Sequence, residues 1–487
     1  MKNLEGEITN TKNTYEMNEF KTVYQLIREQ INKQKDKVAI IAGETQITYH
    51  ELGDRIDERA ALFYHKGIRK GMNVGVLLPR NHEVLISFVA LQKLGAIYIP
   101  MDSTYPLERL DFMAEDAQIS FFVTETKMSI QWMETAFETV YIDESIKTEE
   151  LVPEPEKLKE KDPVYILYTS GSTGKPKGVV INHLGLSNFL LSMQKEPGFT
   201  EDDILLSVTT VCFDISGLEL YLPLICGGVT NIVPSEITND GIMLREMIES
   251  SNVTVIQATP ATWNMLILAG WEKKLPIKIL CGGESLAIEL ADKLLKQCNE
   301  LWNMYGPTET TIWSTIKHIT DKNCINIGKP IDNTQVWVLD KNMQEVQGSQ
   351  SGELYIGGYG VANGYYRREQ LTTEKFIENP LKKGDKIYRT GDLAEINEEG
   401  EVIYLGRIDN QVKYHGFRIE LEEIERVMQE KLNLEKAIVV IRKDDLNQDA
   451  LYAFIQSDNE RNREEDEKKL REFLPHYMIP CEFIRLR

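Results

Sequence analysis

Residues 165–180 read YILYTSGSTGKPKGVV, a short apolar strand that runs into a loop of glycines, hydroxyls and lysines. The loop holds three glycines, three hydroxyl side chains and two lysines: Gly171, Gly174, Gly178, Ser170, Ser172, Thr173, Lys175 and Lys177. Glycines let successive backbone N–H groups close around an anion, and the other side chains add donors and positive charge. Because phosphate sites are often built where a strand ends in such a loop, the stretch predicts an anion site in an α/β fold.

Two standard nucleotide motifs do not fit this chain. A Walker A loop requires G-x-x-x-x-G-K-[ST], whereas the gap between Gly171 and Gly174 is shorter and Pro176 follows the lysine. A second glycine run, GGYGVANG at residues 357–364, misses G-x-G-x-x-G by one residue and opens no clear strand–helix unit. A P-loop NTPase and a dinucleotide-binding fold are therefore disfavoured. A flexible surface turn remains the structural alternative for the first loop.

The sequence on either side of the loop alternates strands with helices. Three apolar runs are separated by helical segments: VGVLL (74–78), AIYIP (96–100) and SFFVT (120–124). Such alternation indicates βαβ units, and hence an α/β fold of doubly wound, mainly parallel sheets. Short β runs between residues 326 and 406 predict a compact β subdomain. A helix and the strand AIVVIR after residue 409 predict a small α+β domain.

Length and charge limit the remaining possibilities. A chain of 487 residues is too long for one core, and we expect a flexible lead (1–20), a large core (21–408) and a small mobile domain (409–487). Its 76 acidic and 55 basic residues give a net charge of −21, which argues against nucleic-acid or anionic-membrane partners. The six cysteines form no C-x-x-C pair, and neither a signal peptide nor a membrane span is evident. These features predict a soluble cytoplasmic protein.

Further motifs accompany the glycine loop in a fixed order. They are ITYHEL (47–52), LGAIYIPMDSTYPLERL (94–110), FDISGLELYLPLICGG (213–228), NMYGPTETT (303–311), GELYIGGYGVANGYYRREQLTTEKF (352–376), YRTGDLA (388–394) and GRIDNQVKYHGFRIELEEIE (406–425). Together with the loop, this series resembles the adenylate-forming superfamily, which includes acyl-CoA ligases, luciferases and the adenylation domains of nonribosomal peptide synthetases. FDIS and NQVKYHGFRIEL are most similar to the amino-acid-activating branch.

The resemblance implies an ATP- and Mg²⁺-dependent ligase. A carboxylate would attack the α-phosphate of ATP to give an acyl-adenylate and pyrophosphate, and a carrier-protein pantetheine thiol would then accept the acyl group. The residues implied in catalysis are Thr169, Lys177, Thr308 and Glu309, with Glu309 also as the magnesium ligand. The implied nucleotide-binding residues are Ser170, Gly171, Ser172, Thr173, Gly174, Gly283, Glu284, Asn303, Tyr305, Gly306, Asp392 and Arg407. Asp409 matches the hinge about which the small domain would turn.

The resemblance also implies a pocket for the acid that is activated. Its lining would be Asp214, Ile215, Leu218, Gln257, Leu280, Gly282, Met304, Ile312 and Trp313. A carboxylate such as Asp214 in an otherwise apolar pocket calls for a cationic partner, and the ammonium group of an α-amino acid supplies one. Trp313 and Met304 leave little space beside it. The set resembles the family's glycine-type pocket, so we expect glycine as the substrate.

Some features depart from the family pattern. The family carries a lysine shortly after a segment like LPHYMIP (474–480), but this sequence stops at Arg487, so we expect slow adenylate formation. His415 and Glu422 replace the usual arginine and glycine. The carrier protein would lie on another chain or on a removed segment, and other synthetase domains would be further partners. An acyl- or aryl-CoA ligase and a degenerate nucleotide-binding module remain alternative functions.

Overall fold

The computed structural model describes residues 20–128, 133, 136–144, 157–171, 175–346, 350–409, 411–414, 416–443, 449–457 and 461–486. The strands in this part of the chain are β1 Val38–Ala42, β2 Thr45–Thr48, β3 Asn73–Leu77, β4 Ile97–Pro100, β5 Phe121–Thr124, β6 Glu138–Tyr141, β7 Pro163–Thr169, β8 Lys177–Asn182, β9 Ile204–Ser207, β10 Val229–Ile232, β11 Val255–Ala258, β12 Lys278–Gly282, β13 Glu300–Tyr305, β14 Thr315–Ile319, β15 Lys329–Pro330, β16 Thr334–Leu339, β17 Gly352–Gly358, β18 Phe376–Glu378, β19 Lys386–Ile396, β20 Val402–Arg407, β21 Gln411–Tyr414, β22 Phe417–Glu420, β23 Lys436–Lys443, β24 Asp449–Gln456 and β25 Glu482–Leu486.

The α-helices of the described residues connect these strands. They are α1 Val23–Lys33, α2 Tyr49–His65, α3 His82–Leu94, α4 Leu107–Asp116, α5 His183–Met193, α6 Ser216–Cys226, α7 Ser235–Thr238, α8 Gly241–Ser250, α9 Pro260–Leu268, α10 Ile288–Gln297, α11 Glu369–Lys375, α12 Leu421–Leu432 and α13 Arg463–Leu470. None of the helices placed by the structure has both the length and the apolar character needed to cross a bilayer.

Two large sheets carry most of the chain. The nine-stranded sheet has the order β15-β14-β13-β12-β11-β9-β10-β1-β2, and the six-stranded sheet has the order β6-β5-β3-β4-β7-β8. Their central strands pair in parallel, and antiparallel strands are added at the edges. The predicted fold of mainly parallel sheets is confirmed.

The composition and the caps of helix α3 account for its bounds and for its buried position. Nearly all of its side chains are buried, as expected for a helix that is apolar on every side. Asn81 caps its first turn, and Gly95 ends it with a left-handed φ of 69°, a conformation that glycine adopts at little energetic expense. The predicted helix from Glu83 to Leu94 is therefore placed almost residue for residue.

The predicted β subdomain is only partly correct. β16 to β20 form a separate five-stranded sheet, but β15 pairs with β14 and so belongs to the nine-stranded sheet. The compact β region therefore begins at Thr334 and not at residue 326. The reason is that Lys329 pairs with Ile316 and Pro330 with Thr315. A run of residues that favour strands predicts a strand but does not show which strand it will pair with.

The residues after β20 have a core of their own. The hairpin β21–β22, helix α12 and the three-stranded sheet β23-β24-β25 surround a cluster of buried side chains that extends from Tyr414 to Met478. The predicted charged helix lies at Arg463–Leu470, with Asp466 and Leu470 buried. A buried ion pair of 2.8 Å between Arg109 and Glu423 fastens this part of the chain to helix α4.

Candidate active site

The loops that follow three parallel strands meet at one edge of the sheets. β7 ends at Thr169, β12 at Gly282 and β13 at Tyr305, and each of these residues is followed by predicted site residues. In α/β folds, ligands bind outside the carboxyl ends of such strands. Thr169 Oγ1 is buried and has no hydrogen-bond partner among the described residues. The predicted loop residues Ser172, Thr173 and Gly174 lie outside the described part of the chain.

Glu309 occupies the centre of this edge, in a short 3-10 turn that spans Thr308–Thr310. Its side chain is completely buried. Tyr365 donates to Oε1 from 2.7 Å and the guanidinium of Arg418 to Oε2 from 2.7 Å, while Lys177 Nζ lies 3.9 Å from Oε1. Burial opposes the charged form, but Arg418 and Lys177 hold the pKa of Glu309 at about 2.

The predicted magnesium ligand is therefore already paired with a cation. The motifs assigned no role to Arg418, which lies in the FRIEL segment at residues 417–421, because it follows Glu309 by 109 residues. Burial lowers the pKa of Lys177 to about 8, so this ammonium group is charged at neutral pH and available to an anion. Tyr365 was also missed, because a tyrosine in a glycine-rich segment carries no distinctive signal.

The hairpin β21–β22 brings Arg418 to the site. Ser170, which was predicted to hold phosphate, donates its hydroxyl to the carbonyl of Arg418 from 2.7 Å. The backbone N–H of Gly416 donates to the carboxylate of Glu284, another predicted nucleotide-binding residue. The hairpin thus lies directly over the loop residues that would contact ATP.

A cavity of about 260 Å³ opens beside this hairpin. Its walls include three of the predicted nucleotide-binding residues, Glu284, Asn303 and Tyr305, together with Lys413 of the hairpin. Lys413 Nζ lies 5.5 Å from the centre of the Tyr305 ring, and burial lowers the pKa of Lys413. Glycines flank the cavity: Gly283 has a φ of 91°, and a Cβ on Gly306 would lie 2.2 Å from the carbonyl of Ile312.

Asp392 and Arg407 meet beside Tyr305, which lines the cavity. Tyr305 donates its hydroxyl to Asp392 Oδ2, and Arg407 donates to Oδ1 from 2.8 Å. Arg407 also pairs with both oxygens of Asp409, at 2.6 and 2.8 Å. The carboxylate of Asp392, which the resemblance implied in nucleotide binding, therefore has both oxygens engaged by protein donors, and a nucleotide hydroxyl would have to replace at least one of them.

Asp214 lies close to Glu309 and is also buried. Thr308, for which the resemblance implied a catalytic role, donates its hydroxyl to Asp214 Oδ2 from 2.6 Å. Burial raises the pKa of Asp214 to about 6, against the effect of this hydrogen bond. The structure thus places Thr308 between the two carboxylates, where its hydroxyl stabilises the charged form of Asp214.

The remaining predicted pocket residues are all buried and gather around Gly282. A Cβ on Gly282 would lie 2.6 Å from the Met304 carbonyl and 2.7 Å from the Trp313 ring. The indole N–H of Trp313 donates to Gln257 Oε1 from 2.9 Å, and Gln257 Nε2 donates to the carbonyl of Ile215 from 2.8 Å. The full set with little exposed surface is Ile215, Leu218, Gln257, Leu280, Met304, Ile312 and Trp313.

Backbone strain fixes one wall of this pocket. Thr311 and Ile312 have φ angles of 62° and 71°, which are unfavourable for a β-branched residue. Such strain persists only where surrounding packing imposes it, and it is concentrated at functional sites. The turn presents Ile312 towards Gly217, where a Cβ would lie 3.0 Å from Ile312 Cδ1.

These features define the class of protein: an α/β protein with buried carboxylates and a cavity at the carboxyl edge of parallel strands. Residues 27–366 match the family described as AMP-binding enzyme. The chain belongs to the AMP-binding enzyme family. It is an ATP-dependent adenylate-forming ligase, as the sequence motifs predicted.

Two relatives of this chain are peptide synthetases. The chain is 40% identical over 461 residues to the dimodular nonribosomal peptide synthase of Bacillus subtilis (strain 168), covering 93% of this chain and 19% of the relative. It is 34% identical over 489 residues to gramicidin S synthase 1 of Brevibacillus brevis, covering 98% and 44% respectively. The chain thus spans less than half the length of either synthetase.

Solved structures show the same fold. Holo-AB3403, a four-domain nonribosomal peptide synthetase bound to AMP and glycine, is 37% identical with a TM-score of 0.74, covering 96% of this chain and 35% of that one. NpsA-ThdA, an artificially fused adenylation–PCP di-domain from Klebsiella oxytoca, is 26% identical with a TM-score of 0.88, covering 96% and 94% respectively.

Proposed function

We propose that this chain is an amino-acid adenylation domain of a nonribosomal peptide synthetase and that it activates glycine. A carboxylate oxygen of glycine attacks the α-phosphorus of ATP, the bond from that phosphorus to the bridging oxygen breaks, and pyrophosphate leaves. The product is glycyl-AMP. A pantetheine thiol of a peptidyl carrier protein then displaces AMP and takes the glycyl group as a thioester.

The observation that carries the proposal is a buried carboxylate beside a closed pocket. Asp214 can pair with an ammonium group, which a fatty or aryl acid lacks. A Cβ on Gly282 would lie 2.6 Å from the Met304 carbonyl and 2.7 Å from the Trp313 ring, so this wall of the pocket is tightly packed. We therefore expect a substrate side chain larger than hydrogen to collide with it. Steric exclusion of this kind is required because favourable contact alone separates substrates that differ by one methylene by only about 1–3 kcal/mol. The glycine and AMP held by the four-domain synthetase AB3403 support the same reading.

The nucleotide would occupy the 260 Å³ cavity and the loop beside it. Tyr305 offers an aromatic face to adenine, and Asp392, which accepts the Tyr305 hydroxyl, would serve as an acceptor for ribose hydroxyls. Thr169, whose buried hydroxyl has no hydrogen-bond partner among the residues that the structure describes, and Lys177, with its buried ammonium, are suited to the phosphates. These residues position the phosphates and neutralise their charge, which is the main requirement for phosphoryl-centre chemistry.

Glu309 is the residue that would hold Mg²⁺. Magnesium usually binds through one or two carboxylates together with substrate phosphates, and Glu309 is a single carboxylate facing the phosphate loop. The ion, when bound, would neutralise phosphate charge. The present arrangement admits it only after Arg418 withdraws, since that guanidinium donates to Glu309 from 2.7 Å.

We further propose that the chain divides after residue 408, with Asp409 as the hinge. The residues beyond β20 have their own buried cluster, which supports a separate unit. In the present arrangement the hairpin covers the phosphate loop, so the unit must turn away before ATP enters and can return afterwards for transfer to the carrier. Such gating is common among enzymes.

Calorimetry with sulfamoyl analogues of acyl-adenylates, which bind without reacting, tests the function. We expect the glycyl analogue to bind most tightly among glycyl, alanyl, seryl, benzoyl and fatty-acyl analogues, and to bind more tightly than AMP. A preference for a benzoyl or fatty-acyl analogue would instead support a CoA ligase. Equal affinity of all analogues and AMP would indicate a module that binds nucleotide without selecting an acid.

A further inference from the structure

A buried charged pair lies behind the substrate pocket. Glu219, on helix α6, is completely buried and lies 3.8 Å from the guanidinium of Arg80. Its carboxylate accepts hydrogen bonds from three residues of one loop and from one pocket residue: Ser207 Oγ (3.0 Å), Val208 N (2.9 Å), Thr209 N (3.0 Å), Thr209 Oγ1 (2.6 Å) and Gln257 Nε2 (3.2 Å). Neither Glu219 nor Arg80 has a part in the proposed chemistry.

The two oxygens of Glu219 have different partners. Oε2 accepts two backbone N–H groups, from Val208 and Thr209, whereas Oε1 faces the amide nitrogen of Gln257. Arg80 donates to Ser207 Oγ and to the carbonyl of Thr209, both from 2.9 Å, and so fixes the same loop. The carboxylate is thereby held in a single orientation with an acceptor towards Gln257.

This acceptor determines which way the Gln257 amide points. The nitrogen of Gln257 has two hydrogens, and they go to Glu219 Oε1 and to the carbonyl of Ile215. The amide oxygen must therefore face the other way, where it accepts the indole N–H of Trp313 from 2.9 Å. A reversed amide would place its oxygen against the Glu219 carboxylate and the Ile215 carbonyl, acceptor against acceptor, and its N–H2 group against the indole N–H of Trp313, donor against donor.

We propose that Glu219 is a positioning residue for substrate selection, which acts through Gln257 to hold Trp313 against Gly282. The inference rests on the proposed glycine pocket. Trp313 excludes a β-methyl group only if its ring cannot move. Its one polar atom, the indole nitrogen, is held by the relay, by which we mean the hydrogen bonds that join Glu219, Gln257 and Trp313. In the Glu219→Gln variant, the oxygen stays with the two backbone donors, so the new amide nitrogen meets the nitrogen of Gln257. Gln257 must then turn or shift, and Trp313 loses its acceptor.

The test measures dissociation constants of the glycyl and alanyl sulfamoyl-adenosine analogues on the whole chain, with AMP in parallel. For Glu219→Gln we expect the preference for the glycyl analogue to fall at least about fivefold, while AMP affinity stays within about twofold. Tyr221→Phe is the matched control, because Tyr221 lies on the same helix as Glu219. The substitution removes a buried hydrogen bond of 2.8 Å to Tyr98 but none of the hydrogen bonds among Glu219, Gln257 and Trp313. Its preference should equal that of the parent.

A double-mutant cycle separates positioning from general loosening. Trp313→Phe removes the indole N–H, so Glu219→Gln should not reduce the preference further in that background. An equal reduction in both backgrounds, or no reduction in the parent background, would overturn the inference. If Glu219→Gln does not fold, Gln257→Leu removes the same acceptor and should give the same loss. A parent chain without glycyl preference would overturn the proposed function as well, whereas a normal parental preference unmoved by these variants overturns this inference alone.

Discussion

At the scale of a single residue, two opposing effects set the pKa of the Asp214 carboxyl group. Burial raises its pKa to about 6, and the Thr308 hydroxyl favours the charged form. An ammonium group bound beside it would favour the charged form further, because an opposite charge lowers the pKa of a carboxyl group. The free protein must therefore release a proton from Asp214 before it binds an amino acid at acidic pH.

This linkage predicts a pH dependence with a definite sign. The affinity for the glycyl analogue should weaken by about tenfold per unit below pH 6, since the free carboxyl group then binds a proton that the ligand must displace, and it should level off near pH 7. The amino group of the ligand stays charged between pH 5 and about 7, because α-amino groups titrate only near about 7.7–8.0. Calorimetry between pH 5 and 8 measures the effect, and Asp214→Asn should remove it. A slope retained in Asp214→Asn would assign the titration to another group.

Substitution of Trp313 should change the preference between the glycyl and alanyl analogues. Trp313→Ala should open the wall beside Gly282 and raise the affinity for the alanyl analogue relative to the glycyl one by at least about tenfold. Met304→Ala should act in the same direction. Loss of the buried ring also destabilises the fold by about 3–5 kcal/mol. Trp271→Ala, another almost fully buried tryptophan in a different core cluster, is the control for that loss. An unchanged preference in both pocket variants would show that the pocket is wrongly assigned.

At the scale of secondary structure, the sequence predicts elements better than their partners. Local signals were sufficient for helix α3 with its Gly95 end, and for helix α12, whose apolar residues lie on one face. They were not sufficient for β15, which joins the nine-stranded sheet. The site residues divide in the same way, into those with a local sequence signal and those without one. Motifs identified Glu309 and Asp214. Arg418 and Glu219 were assigned no role, because their partners are set by tertiary packing.

The hairpin β21–β22 gives a prediction at this scale. Because Arg418 and Mg²⁺ would compete for Glu309, Arg418→Gln should bind Mg²⁺ together with a non-hydrolysable ATP analogue at least about tenfold more tightly than the parent. Titration calorimetry with and without Mg²⁺ separates the ion from the nucleotide. Arg461→Gln removes an ion pair with Asp466 in the same C-terminal part, at 2.6 Å, and should leave the affinity unchanged. Equal magnesium affinity in the parent and Arg418→Gln would exclude the competition.

At the scale of the whole molecule, several polar contacts hold the C-terminal part against the rest of the chain. Arg418 reaches Glu309, Gly416 reaches Glu284, and Arg109 of helix α4 pairs with Glu423 of helix α12. The last pair is almost fully buried, with side-chain exposures of 6% and 2%. Arg109 Nε and Glu423 Oε2 have no hydrogen-bond partner in the described structure, so the desolvation of both charges is only partly offset.

Breaking this pair from one side should therefore release the C-terminal part, whereas replacing both charges should not. Arg109→Met leaves Glu423 buried and uncompensated, which costs about 3–5 kcal/mol, and we expect amide hydrogen exchange in residues 416–432 to accelerate at least about tenfold. The double variant Arg109→Met with Glu423→Met restores an apolar contact and should return exchange close to the parental rate. Strands β23 and β24 serve as the internal control, because their own core is intact in every variant. Parental exchange in Arg109→Met would show that the pair has no part in docking, and exchange as fast in the double variant as in the single one would show that an apolar contact cannot replace the pair. Faster exchange in β23 and β24 would show that the C-terminal core itself had loosened.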